Sequence, residues 1–420
     1  MIKRSFFTLT QPRLNYDLVE PDPKEPTSIP IPTDLILLLN EPIDSTKDTL
    51  IKKGNKVEKG EKLYLYADST EYTISPVAGT ISSLDVYSDN LGNRSTSLVI
   101  KSNQAQSDSI TYDLKETIAS ADEYLRTLPG APPLERLASD DNEINTLVIT
   151  CGDTDLLSTT NQYVALKFLN DIKKGVQVLK TITTATKVYV TVPENSPLQG
   201  GLEPLQVFKT SMAYPSNLPA MVLKNHLNLV LPAGKTPEDM GVCFIAAEAV
   251  VSLAKAYQTK SAGFEKIVTI IDKQGNQHRA KATIGTPLRN IFNAFSIQVS
   301  EQDRIIIGGP MKGFATFTLE HPVQPDMDMV MIQDREDIPE ISDTPCINCG
   351  KCLQTCPVNI PVNILVRYLE AAQYEEAADK YDLEACIECG LCAYVCTARI
   401  PIFQYIQLGK HELFKLRADA

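Results

Sequence analysis

The chain has 420 residues, room for about two to four domains, and 43% of them are hydrophobic, enough for real cores. Its net charge of −12 excludes the basic surface that nucleic acid requires, and it repels acidic partners wherever no local basic patch offsets the field. Ten cysteines follow a start, MIKRSFFTLTQPRLNYD, whose apolar run is too short for a signal peptide; a reducing compartment is expected, where clustered cysteines bind metal sooner than they form disulfides.

Residues 1–33 are rich in proline (EPDPKEPTSIPIP) and predict an extended arm strapped to a surface. From Asp34 to residue 103, strand-like runs alternate with glycine turns. The order Gly54, Val57, Gly60, Pro76, Gly79 resembles the biotinyl/lipoyl carrier barrel. Carriers present a lysine at a hairpin tip; the corresponding tip here, ADSTE at 67–71, has none, so a structural barrel is expected rather than a swinging arm.

Residues 104–257 alternate strand and helix and predict a Rossmann-like α/β layer with parallel pairing. INTLVITCGDTD reads as a buried strand running into a loop, NQYVALKFLNDIKKGVQVLKTI as one amphipathic helix, and KVYVTVPE as another strand. The most apolar segment, GVCFIAAEAVVSLAKAY at 241–257, is interrupted by Glu248 and falls short of the ~20 residues of a bilayer span, so no direct membrane span is expected. Residues 258–335 predict a β-grasp: a hairpin turning at Gln274-Gly275-Asn276, a short helix in TPLRNIFNAF and a strand in DRIIIGGPMKG. HPVQPDMDMVMIQDREDIPE then reads as a connector. Residues 336–420 are helical, with Leu408, His411 and Phe414 expected to pack inside the last helix.

Eight cysteines lie in that last part, as two copies of C-x2-C-x2-C-x3-C. Thiolates ligate iron–sulfur cubanes, and a C-x2-C-x2-C loop can wrap three corners of one cube while the fourth cysteine serves the other cluster. One [4Fe–4S] cluster is therefore expected on Cys346, Cys349, Cys352 and Cys396, and a second on Cys386, Cys389, Cys392 and Cys356. Zinc also takes four-cysteine sites, but it does not need the third and fourth cysteines at these spacings. Pro357 follows the fourth cysteine of the first run; Thr397 stands where a second proline would be. Cys151 and Cys243, in apolar settings, read as buried structural thiols. The four histidines, His226, His278, His321 and His411, form no spacing cluster, and no catalytic triad or carboxylate pair stands out.

The order of barrel, α/β layer, β-grasp and two-cluster domain, with IGTPLRNIF at 284–292 and GGPMKG at 308–313, resembles the C subunit of the Rnf electron-transport complex. That family is related to the NADH-binding flavoprotein subunit of complex I. The resemblance implies a peripheral subunit on the cytoplasmic side of the cell membrane. Its partners would be the other subunits of a complex coupling electron transfer between ferredoxin and NADH to ion translocation, with a ferredoxin-like or flavin redox partner. The nucleotide motifs depart from the family pattern. TLPGAPPLERL at 127–137 stands for its glycine-rich GGAGFPTxxK, TCGDTDL at 150–156 for NAAECEP, YPSNLPAMVL at 214–223 for YPxGGxKxL, and IAAEA at 245–249 for NVGTA. Pro129, Pro132 and Pro133 each lack an N–H, and Leu128, Ala131 and Leu134 are expected to hold a ligand off. The expectation is an electron-transfer subunit with two [4Fe–4S] clusters and no FMN or NADH, without independent NADH dehydrogenase activity. The alternatives are an active flavoenzyme with a diverged pocket and a scaffold with structural clusters.

Overall fold

The computed structural model describes residues 14, 16, 19–103, 108–139, 143–338, 341 and 344–418. Most of the first half of the predicted arm lies outside them. Its second half is strapped down as expected: β1 (Thr27–Ser28) pairs with a strand far along the chain, Thr27 beside Ala280. Arg279 Nη1 donates to the Asp22 carbonyl at 2.6 Å, and Glu25 accepts from Lys167 and the Tyr163 hydroxyl.

The strands that follow are β2 (Asp34–Leu39), β3 (Lys56–Val57), β4 (Lys62–Leu63), β5 (Thr73–Ile74), β6 (Gly79–Ser88) and β7 (Arg94–Ser102). Leu35, Leu37 and Leu39 point inward at a period of two, as one buried sheet face requires. They form an antiparallel sheet in the order β2-β7-β6-β3 and a separate ribbon, β4-β5. The closed carrier-like barrel is thus corrected to a half-barrel. β3, β4 and β5 are only two residues long, and glycine turns at Gly54 (φ +92°) and Gly60 (φ +90°) flank β3, so the ladders break before the sheet can close. Leu63, Leu65 and Val77 still fill the same core.

Next come α1 (Ile118–Leu125), α2 (Leu134–Ala138), β8 (Thr146–Thr150), α3 (Thr160–Lys167), α4 (Leu169–Ile182), β9 (Lys187–Pro193), β10 (Gln206–Thr210), α5 (Pro219–Val222), β11 (Val242–Ala246) and α6 (Ala247–Thr259). The sheet is parallel throughout, in the order β10-β9-β8-β11. β8 is buried along its whole length, as a strand covered on both faces must be. The single helix expected over 161–182 breaks at Phe168 (φ −116°, ψ 36°), whose ring carries Lys255 Nζ 4.2 Å from its centroid. Cys151 and Cys243 are fully buried, as the sequence implies, and burial pushes each thiol up to about 12.

A six-stranded mixed sheet follows, from β12 (Glu265–Ile271), β13 (Gln277–Thr283), α7 (Leu288–Ala294), β14 (Arg304–Ile307), β15 (Phe314–Thr316) and β16 (Met329–Gln333). Its order is β1-β13-β12-β16-β14-β15. The hairpin, helix and strand predicted here are present. The connector is a correction: it holds β16, an interior strand parallel to β12 and antiparallel to β14. Its apolar run is only MVMI, flanked by Asp326, Asp328 and Asp334, so periodicity could not reveal it.

The last part contains α8 (Lys351–Thr355), α9 (Val362–Glu370), α10 (Tyr374–Tyr381), α11 (Leu391–Tyr394) and α12 (Ile402–Ala418). In α12 the packed residues are Ile402, Phe403, Ile406 and Leu413. Leu408 and Phe414, expected inside, are 39% and 73% exposed, and His411 is half-buried: the buried stripe of the helix falls on other positions. No helix among the described residues is long and apolar enough to cross a membrane.

An ion triad around fully buried Lys266 joins α6 to the six-stranded sheet. Lys266 of β12, with no exposed surface, contacts Glu248 of α6, Asp328 Oδ1 at 2.9 Å and the Ile267 carbonyl at 3.0 Å. Burial alone would strip its proton, but the two carboxylates outweigh burial and hold the ammonium. Lys266→Met removes the countercharge of buried Glu248 and is expected to destabilise the protein by about 3–5 kcal/mol in urea unfolding at neutral pH. A loss under about 1 kcal/mol would contradict the importance given to this pairing.

Candidate metal centres

Both cysteine loops solve the same backbone problem. Each turns through two left-handed residues at matching positions: Asn348 (φ +57°) and Gly350 (φ +76°) in the first, Glu388 (φ +52°) and Gly390 (φ +74°) in the second. Short helices, α8 and α11, start directly after each glycine. The result is two separate voids. One is lined by Cys346, Cys349, Cys352 and Cys396, with Val366, Ile400 and Ile402 around them. The other is lined by Cys356, Cys386, Cys389 and Cys392, with Leu365, Phe403 and Ile406. Each void thus receives three cysteines from one loop and the fourth from the other, the grouping expected from the spacing.

The surroundings suit thiolates that carry a positively charged core between them. Burial pushes Cys352 up to about 11 and Cys389 up to about 12, and neighbouring cysteines add to both effects. Such buried thiols resist ionisation unless a metal takes the charge. Polar hydrogens already point at sulfur: Ile360 N donates to Cys356 Sγ, Glu388 N to Cys386 Sγ and the Thr397 hydroxyl to Cys349 Sγ, each at 3.4 Å. The Thr397 hydroxyl and the Lys351 N–H hold the Cys349 thiol below its ordinary value. Thr397, which the sequence marked only as a missing proline, therefore has a place in the site. Among the described residues no group of three or more His, Cys, Asp or Glu side chains is arranged around a single ion.

The second loop is built into the part of the chain that precedes the cysteine module, residues up to 335, here called the head. The Tyr214 hydroxyl donates to the Cys389 carbonyl at 2.6 Å. Gly390 lies so close to Met311 that a Cβ there would sit 2.2 Å from its carbonyl oxygen. Met311 belongs to the GGPMKG turn, which Asp155 clamps by accepting from Met311 N (3.1 Å) and Lys312 N (2.8 Å). Gly309 is required there because a Cβ would meet the Asp155 carboxylate at 2.1 Å. Asp153 is used similarly, on Ser158, Asn161 and Gln162 at the start of α3. Burial pushes both carboxyls up, against the hydrogen bonds that favour their charged forms. The sequence showed two acids in a loop; only the fold shows that each is a clamp.

On the other side of the GGPMKG turn is a cavity of about 970 Å³, edged by Gly308, Lys312, Asp155, Asp326, Tyr87 and the 131–136 segment. The departures in 127–137 have not closed this space. Along its 128–134 edge, Leu128 N, Gly130 N, Ala131 N and Leu134 N are bonded to Leu125, Pro325, Leu128 and Pro132 carbonyls, and Pro129, Pro132 and Pro133 have no N–H. Leu128, expected to fend off a ligand, instead packs in the core at 1% exposure; Ala131 and Leu134 do line the cavity.

Comparison with known proteins agrees with this arrangement. Residues 338–397, which contain all eight cysteines, match the 4Fe-4S dicluster domain. The C subunit of the ion-translocating oxidoreductase complex of Vibrio cholerae is 25% identical over 373 residues, 83% of this chain and 48% of that protein. Its counterpart in Edwardsiella ictaluri is 27% identical over 419 residues, 93% of this chain and 52% of that protein. The C subunit of the proton-translocating ferredoxin:NAD(+) oxidoreductase complex of Clostridium ljungdahlii is 26% identical over 280 residues, 65% of this chain and 61% of that protein. The chain is a homologue of the Rnf C subunits, with a 4Fe-4S dicluster domain. It spans about half the length of the first two relatives.

In this Rnf C-subunit homologue the two loop glycines carry different burdens. Gly350 has nothing within 4 Å of a Cβ, so Gly350→Ala should cost only the left-handed backbone, about 1–2 kcal/mol. Gly390→Ala adds the collision with Met311, at about 1–3 kcal/mol more, and should lower bound iron as well. Chemical denaturation and iron assay of both variants check this; equal effects would mean that the Met311 contact is unimportant.

Proposed function

We propose that this chain relays electrons as a peripheral subunit of an Rnf-like membrane complex, on its cytoplasmic side, with ion translocation carried out by the complex as a whole. Cys346, Cys349, Cys352 and Cys396 would hold one [4Fe–4S] cluster, and Cys356, Cys386, Cys389 and Cys392 the other. The observation that carries this is the pair of voids, each lined by four cysteines drawn from both loops. When bound, such a cluster accepts and returns one electron. The protein's part is to hold, bury and orient. The hydrophobic shell of Leu365, Phe403 and Ile406 covers one centre, whereas Cys349 is exposed at the other, beside Ile347 at 60% exposure. The centre of Cys389 therefore faces the head, and the centre of Cys349 faces a redox partner, ferredoxin-like or flavin-containing, or another subunit.

The units behind this are read as an arm with a carrier-like half-barrel (1–103), an α/β layer (104–257), a β-grasp with its closing strand (258–335) and the two-cluster module (336–420). The head is read as a mount whose nucleotide site is lost. The support is the 128–134 segment, in which every backbone N–H is either absent or already bonded, so that this stretch has no free N–H to offer a phosphate. The open cavity against the GGPMKG turn favours a second reading, a redox cofactor still housed in the head.

Anaerobically purified protein should carry about eight iron and eight sulfide. Cys356→Ala should damage mainly the centre of Cys386, Cys389 and Cys392; spectra showing loss of the centre in its own loop would reject the crossed assignment. Acid extraction should release no flavin, and NADH should leave the isolated chain oxidised. Stoichiometric flavin, or reduction by NADH, would establish the second reading instead.

A further inference from the structure

The two cysteine loops repeat at an offset of 40 residues (346 to 386, 356 to 396), and the repeat continues through Ile360-Pro361 and Ile400-Pro401 into the helix that follows each. At the end of that run the copies differ in charge. The first has Glu370, exposed at the end of α9; the second has Lys410, in the middle of α12. Lys410 is about three-quarters covered, and its Nζ donates at 2.7 Å both to the Cys386 carbonyl and to Glu388 Oε1. A fixed ammonium thus touches the backbone of one candidate ligand, at the more buried of the two centres. Nothing comparable touches the cysteine carbonyls of the first loop among the described residues.

We propose that Lys410 is a positioning residue that sets the reduction potential of the centre on Cys356, Cys386, Cys389 and Cys392, raising it against the lowering effect of burial. The proposal rests on the reading that those cysteines hold a cluster. One-electron reduction adds one negative charge to the centre; the electron comes from the external reductant, and no bond or proton is exchanged. Burial penalises that added charge, and potentials of such centres follow net charge, hydrogen bonding and solvent exposure. Lys410 supplies the opposite charge where the buried centre lacks water. Glu388 opposes it, so the two variants of this pair act in opposite directions. A merely structural tether would move neither midpoint in a charge-ordered way.

The experiment is a redox titration of the full chain followed by electron paramagnetic resonance, with Cys349→Ser used to mark the signal of the other centre. Lys410→Met should lower the midpoint of the Cys386 centre alone. The expected size is a reduced-to-oxidised ratio about tenfold smaller at fixed potential, about 59 mV for one electron. Lys410→Arg should restore it, and Glu388→Gln should raise it. Unchanged midpoints, or shifts of the same sign in Lys410→Met and Glu388→Gln, would overturn the proposal. If Lys410→Met loses the centre, the sign of the Glu388→Gln shift decides. If iron and sulfide analysis of the unaltered protein finds no second cluster, the reading beneath fails and takes the proposal with it.

Discussion

Neither cysteine loop can complete a site by itself. Each void takes its fourth cysteine from the other loop, so the two loops, the helices α9 and α12 that follow them, and the shared core of Leu365, Leu369, Leu383 and Ile406 must form together. This constraint orders the rest of the module. It favours Gly350 and Gly390 at left-handed positions, and it places Cys356 and Cys396 just after the short helices, where each can cross to the opposite void.

The same module is fixed to the head around its second cysteine loop, where Leu218 and Met311 share a core with Cys389 and Leu391. Gly390 against Met311, and the Tyr214 hydroxyl on the Cys389 carbonyl, put one cysteine loop directly behind the GGPMKG turn. Asp155 holds that turn by two backbone hydrogen bonds, and the large cavity lies on its far side. Cavity and cysteine loop are therefore two faces of one short segment. That geometry gives the head a physical reason for its size whichever way the cavity is used, because a mount must hold the module rigidly and a cofactor site must lie close to it.

Much of this was legible in the sequence because the governing signals are local. Two four-cysteine runs at the same spacing announce the dicluster module, and strand–helix alternation announces the parallel sheet. What stayed hidden depends on contacts far apart in sequence. Asp153 and Asp155 read as residual acids of a nucleotide motif, and their use as clamps needs partners at Asn161 and Met311. Tyr214 read only as the start of a departed nucleotide motif, and Lys410 carries no motif; each matters because folding brings it to a cysteine carbonyl. β16 was hidden by its shortness and its acidic flanks, and the half-barrel by strands of two residues, too short for any period to register. The exposed faces of Leu408 and Phe414 follow from which side of α12 the module covers, and the helical pattern alone did not settle it.

The central claim is that two electron-carrying centres lie side by side in this module, built from interleaved cysteines. Electron paramagnetic resonance of the anaerobic, fully reduced chain measures this most directly. Two centres sharing one small core should give a reversible low-potential signal that is not the sum of the two half-reduced spectra, because neighbouring spins interact. A single isolated signal, or no reversible reduction at all, would contradict the account.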